Sequence, residues 1–97
     1  MGFVVIATWT AKNGQAECIR TLLEEMTPGN RAEPKMINFQ AQVSDADPNT
    51  FVLFEYYTDA SGYDDHRASD AFQARVLREA IPKLEKRQVH TYTTIGE

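Results

Sequence analysis

The stretch Gly62 to Phe72, GYDDHRASDAF, sets His66, one of two histidines in the chain, three residues after Tyr63. Residues three apart share a helix face. In a helix the two side chains therefore point the same way, and an imidazole facing a pocket could accept or deliver a proton near neutral pH. The competing reading is a core or boundary histidine bonded to backbone. Glu55 stands in mid-strand between Phe54 and Tyr56, where β-propensity disfavours glutamate. A carboxylate there faces solvent or has a partner, because a buried lone charge is expensive; Arg31 and His66 are the candidates, for a functional pair or a structural salt bridge. Trp9, Phe39, Phe54, Tyr56 and Phe72 could wall a site for a flat ligand, or fill a plain core. Cys18 has no activating neighbour beyond Lys12 and Arg20 and reads as structural. The sequence holds no Gly-rich phosphate loop, HExxH, CxxC or GxSxG, and His66 and His90 lack metal-ligand spacing, so no metal and no cofactor is expected.

These side chains must be positioned by a small set of elements. Phe3 to Thr10 is rich in β-branched and aromatic residues and ends before a turn signal at Asn13-Gly14, which predicts a strand. Ile19, Leu22, Leu23 and Met26 fall at helical spacing, with Pro28-Gly29 expected to break or kink that helix. Met36 to Val43 alternates, with Ile37, Phe39, Ala41 and Val43 as the apolar face. A turn at Asp45 to Asn49 returns the chain into Thr50 to Tyr57 as an antiparallel hairpin. Asp59 or Ser61 caps a helix through Arg67, and Ser69-Asp70 caps another to about Ala80, with Phe72, Val76, Leu77 and Ile81 as its apolar positions. After a short turn at Pro82, Val89 to Thr94 is the last strand.

Strand, helix, strand, strand, helix, strand predicts an α+β fold: a ferredoxin-like sandwich with a four-stranded antiparallel sheet and both helices on one face. The 97 residues form one domain, 1–97. Phe3 to Ile6 and Phe51 to Phe54 are apolar on both faces, yet helices cover only one. A second cover is needed, and a homodimer packed sheet to sheet about a two-fold axis supplies it.

A formal net charge of −4 and a pI near 5.1, with scattered basic residues, argue against nucleic acid. The single cysteine suits a reducing compartment. The N-terminal segment shows no signal-peptide pattern and its apolar run is too short to span a bilayer, so a cytoplasmic protein off the membrane is expected.

Arg31-Ala32-Glu33-Pro34, then Phe39, then Phe51 to Asp59, then His66-Arg67-Ala68-Ser69 and Phe72 together resemble the antibiotic biosynthesis monooxygenase domain family. That family shows R-x-E-P-G, E-x-Y-x-D and H-x-x-S-x-x-F segments in this order. The resemblance covers nearly the whole chain and implies a dimeric α+β barrel with an apolar cavity between sheet and helices. It also implies a quinol-monooxygenase-like activity: oxidation of a quinol or hydroxylated aromatic by dioxygen without metal or flavin. His66 would be the catalytic base, oriented by Tyr63 or Glu55, with Trp9, Arg31, Phe39, Phe54, Tyr56 and Phe72 binding substrate. Relatives also include an isomerase-like enzyme and heme-degrading oxygenases. A non-catalytic ligand-binding or stress-response dimer is the alternative. Lys35 stands where the family has glycine, and Ala71 where many members carry a second histidine. Ala7 and Val76 stand where the heme-degrading branch has its asparagine and its axial histidine, which makes heme oxygenation improbable.

Overall fold

The structure, a computed structural model, describes residues 1–96. The chain runs β1 (Phe3–Ala11), α1 (Ala16–Arg31), β2 (Met36–Val43), β3 (Thr50–Tyr57), α2 (Ala60–Ala68), a π-helical α3 (Phe72–Ala80), a 3₁₀ turn (Ile81–Lys83) and β4 (Leu84–Thr93). The four strands pair antiparallel in the order β2-β3-β1-β4. This is the expected ferredoxin-like α+β fold, with β1 and β3 central because each finds two strand partners.

Period-two alternation sorts each central strand between two environments. On β1, Val5, Ala7, Trp9 and Ala11 are buried, and on β3 Phe51, Leu53, Glu55 and Tyr57. They meet Ile19, Leu22, Leu23 and Met26 of α1 and Phe72, Val76 and Ala80 of α3 in one core.

Four expectations are corrected. Pro28 does not end α1, which continues to Arg31. Proline removes one amide donor, but the last turn regains bonds as Ala32 N–H reaches the carbonyls of Pro28 and Gly29, and Asn30 adds a buried contact. On β2, Ile37 points outward at 52 % exposure while Met36 is buried. A register shift between Met36 and Asn38 explains it, since an extra residue reverses the facing of what precedes it. Leu77 is exposed in α3 and Ala80 takes the buried position; the helix closes with the Ile81 N–H on the carbonyl of Val76, five residues back, a period that spacing rules built on 3.6 do not anticipate. Cys18 is exposed rather than packed. In addition, β4 begins at Leu84, five residues before the expected Val89, because pairing with β1 carries through polar residues that show no apolar alternation.

Candidate active site

α2 starts at Asp59, whose side chain accepts from the Ser61 N–H. Gly62 lets the helix lie hard against β3: a Cβ there would sit 2.8 Å from Cδ1 and 3.0 Å from Cβ of Tyr57. One turn later His66 enters the core, 4 % exposed. Its carbonyl is held by the Ser69 hydroxyl at 2.7 Å, and the same Ser69 oxygen accepts from the Phe72 N–H at 3.1 Å. Ser69 thus stops α2 and starts α3, which fixes Phe72 edge-on against the imidazole, ring centroids 5.3 Å apart and planes at 69°.

The imidazole lies between two carboxylates. Nδ1 is 2.9 and 3.1 Å from the two oxygens of Glu33, so against an ionised Glu33 it is the nitrogen that carries the proton. Nε2 is thereby left as the acceptor, 3.9 Å from Oε1 of Glu55. That separation is too long for a hydrogen bond, and charge attraction arises there only once the imidazole is protonated. Glu55 instead accepts from the Tyr57 hydroxyl at 2.6 Å.

Burial pushes the Glu55 carboxyl above its ordinary value, and the charge of His66 and the Tyr57 hydrogen bond only partly oppose it. Tyr57 is driven up by burial first and then by the Glu55 charge, so it remains a phenol and a donor. Tyr63 also rises, mainly through burial, with Arg67 and Arg87 opposing. The chain therefore places an imidazole beside a carboxyl that resists ionisation, inside an apolar shell.

That shell is a cavity walled by Trp9, Phe39, Phe72 and Tyr63, with His66 and Glu55 at its polar side. Its free volume is about 20 Å³, room for about one water molecule. The indole Nε1 of Trp9 is buried and has no hydrogen-bond partner. Among the described residues, no group of His, Cys, Asp and Glu side chains could hold a metal ion.

The sequence profile described as antibiotic biosynthesis monooxygenase matches residues 2–76. The chain belongs to this family. Solved structures with the same fold include a Shewanella oneidensis protein, 28 % identical over 94 % of this chain and 88 % of its own, TM-score 0.88. A Pseudomonas aeruginosa protein is 22 % identical over 98 % of this chain and 95 % of its own, TM-score 0.90. A protein named antibiotic biosynthesis monooxygenase is 23 % identical over 97 % of this chain and 99 % of its own, TM-score 0.88. No functionally curated protein matches the chain. Among the described residues no helix is long and apolar enough to cross a membrane.

Of the residues singled out in this family member, the structure brings His66, Tyr63, Glu55, Trp9, Phe39 and Phe72 to one cavity. It does not bring three others there. Phe54 and Tyr56 alternate with the buried residues of β3 and so stand on the opposite face of the sheet. Arg31 lies outside at the end of α1, donating to the Phe39 carbonyl at 3.0 Å and to Gln40 at 3.1 Å, so it is neither the partner of Glu55 nor a wall of the cavity. Tyr63 does not orient His66; it packs on Phe3 and Tyr57 and carries the Arg67 guanidinium 4.2 Å over its ring. Glu33 is the orienting group. Lys35, at the family's glycine position, is accommodated because no non-glycine residue here needs positive φ, and its ammonium ties β2 to α2 through Ser61 and Asp65.

Sequence reasoning missed Glu33, Tyr57, Asn30 and Arg87. Tyr57 carried a signal, since two residues along a strand from Glu55 puts both on one face. Glu33 lies 33 positions from His66, and no local period links them.

Proposed function

We propose that this chain is a cofactor-independent monooxygenase that oxidises a quinol or hydroxylated aromatic with dioxygen. The observation that carries the reading is the commitment of His66 Nδ1 to Glu33, which leaves Nε2 as a base within the apolar cavity. His66 takes the proton of the ring hydroxyl or of its activated CH, and the resulting imidazolium sits between Glu33 and Glu55. The electron-rich anion passes one electron to dioxygen; the two radicals recombine as a substrate hydroperoxide, and loss of water leaves a new carbonyl. One oxygen atom enters the substrate and the other leaves as water, both electron pairs coming from the substrate. The protein excludes solvent and holds the ring near the base. Because the free space is that of a water molecule, the ring enters only as the cavity walls move apart.

Val4, Ile6, Val52, Phe54 and Tyr56 on the other face of the sheet are only partly covered by their own chain, which supports a homodimer joined through this face. The small cavity also supports a second reading, a dimer whose interior is filled by its own side chains and which turns nothing over.

The test is dioxygen uptake by metal-stripped protein with naphthoquinols, hydroxyanthrones and catechols, against a protein-free blank. Uptake above blank, reduced about 10²–10⁴-fold by His66→Ala, is expected. Unchanged uptake in the variant removes His66 as the base. No uptake with any compound favours the second reading.

A further inference from the structure

Beyond the base, the cavity has a second polar side, opposite in character and formed by donors. In the β1–β4 register Trp9 faces Arg87 directly, so their side chains stand next to each other on the helix side of the sheet. The helices cover β1 but stop short of the edge strand: Val5, Ala7 and Trp9 are buried while Arg87 and Thr91 are exposed. Arg87 therefore stands at the mouth of the cavity that Trp9 walls. Its charge is felt by both Glu55 and Tyr63, yet no hydrogen bond or ion pair holds its guanidinium among the described residues. Trp9, 2 % exposed, keeps an indole N–H without an acceptor. Asn30 of α1, 4 % exposed, also lines the space, and no side-chain hydrogen bond engages its carboxamide among the described residues. Of these groups only the Trp9 indole N–H is a buried donor left unpaired; buried polar groups nearly always find partners, so this donor, beside a free-standing guanidinium, points to a ligand that brings the acceptor.

We propose that Arg87 and Trp9 bind an anionic oxygen of the substrate, which makes the substrate class an aromatic bearing an acidic oxygen as a phenolate, enolate or carboxylate. This rests on the reading of the cavity as an aromatic-binding site. The arrangement separates charge in a useful sense: the proton goes to the His66 side, flanked by Glu33 and Glu55, and the negative charge it leaves goes to the β1–β4 side. A charge-assisted bond from guanidinium to oxyanion is stronger than a neutral one. Arg87 is thus a specificity-determining residue.

Binding of 2-naphthoate and of its neutral isostere 2-naphthamide separates this from simple apolar burial. Emission of the chain's single tryptophan reports affinity, and its single indole N–H resonance reports engagement of Nε1. Naphthoate is expected to bind about tenfold more tightly than naphthamide and to shift the indole resonance. Arg87→Gln should erase that preference by weakening naphthoate about tenfold, with a smaller change for naphthamide, and Arg87→Lys should keep part of it. Equal affinities in the unmodified protein, or a preference that survives Arg87→Gln, overturn the donor set and leave the aromatic cavity standing. Binding of neither compound at millimolar concentration overturns the aromatic cavity itself and the donor set with it.

Discussion

β3 presents Phe51, Leu53, Glu55 and Tyr57 to one side of the sheet and Val52, Phe54 and Tyr56 to the other. The two faces are about equally aromatic, yet one is sealed by helices and the other is half-open. On the sealed face the polar atoms contributed by β3 and α2 form a bonded set: Tyr57 to Glu55, and His66 to Glu33, with Nε2 of His66 facing Glu55. On the half-open face Phe54 and Tyr56 pack edge to face, centroids 6.5 Å apart. A ring on a strand therefore says little about chemistry. A carboxylate on the buried parity of that strand says much more, because it persists only with donors around it.

Truncating one ring on each face is the strongest way to break this comparison. Phe39, 1 % exposed, shares the sealed face, and Phe39→Ala should cost about 3–5 kcal/mol in urea unfolding. Phe54→Ala should cost less than half of that at low protein concentration, with a Tm that rises with protein concentration in the unmodified chain but hardly in the variant, since a paired outer face links stability to association. Equal losses without concentration dependence would mean that the outer face is not an interface.

Gly62→Ala comes next. A methyl group would enter the Tyr57 ring and the Lys35 side chain, and overpacking of this kind costs about 1–3 kcal/mol even though alanine favours a helix. Because His66 lies one turn on, activity should fall further than the remaining folded fraction accounts for. A variant as stable and as active as the parent would show that α2 has slack over β3.

The smallest effect is the most diagnostic of the sealed face. Burial holds the Glu55 carboxyl above its ordinary value of 4.5, so the folded chain binds that proton more tightly than the unfolded chain. The contribution of Glu55 to stability is accordingly fullest at low pH and declines as pH rises from the ordinary value through the raised one. Glu55→Gln keeps an acceptor for Tyr57 and removes the titration, so the variant gains on the parent as pH rises. A difference between their urea midpoints that stays flat from about pH 4 to 8 would show Glu55 to be well solvated.

The same contrast explains what the sequence disclosed. Strand and helix order, the caps at Asp59 and Ser69 and the hairpin at Asp45 to Asn49 rest on interactions within a few residues, and all were legible. That Tyr63 and His66 share a helix face followed from period alone, whereas period left open whether that face, or Glu55, turned inward. Glu33, which orients His66, and Arg87, which faces Trp9, are set by a helix end meeting a helix and by pairing of the first strand with the last. Such contacts carry no local period. Phe54 and Tyr56 were misplaced because aromaticity was weighed and strand parity was not, and Ile37 because a bulge interrupts the alternation that strand parity assumes.

The π-helical α3 holds more chain than an α-helix of the same span would. Each i→i+5 bond encloses one residue more than an α-helical bond, so the span from Ser69 to Ile81 stores surplus chain between two anchored points. The match to the family profile ends at residue 76, inside this span. Deleting an exposed residue such as Gln73 or Ala74 would draw on that surplus and leave His66 upstream and Arg87 downstream where they stand. The helix is thus an expansion joint, able to lose a residue without disturbing the register of the last strand.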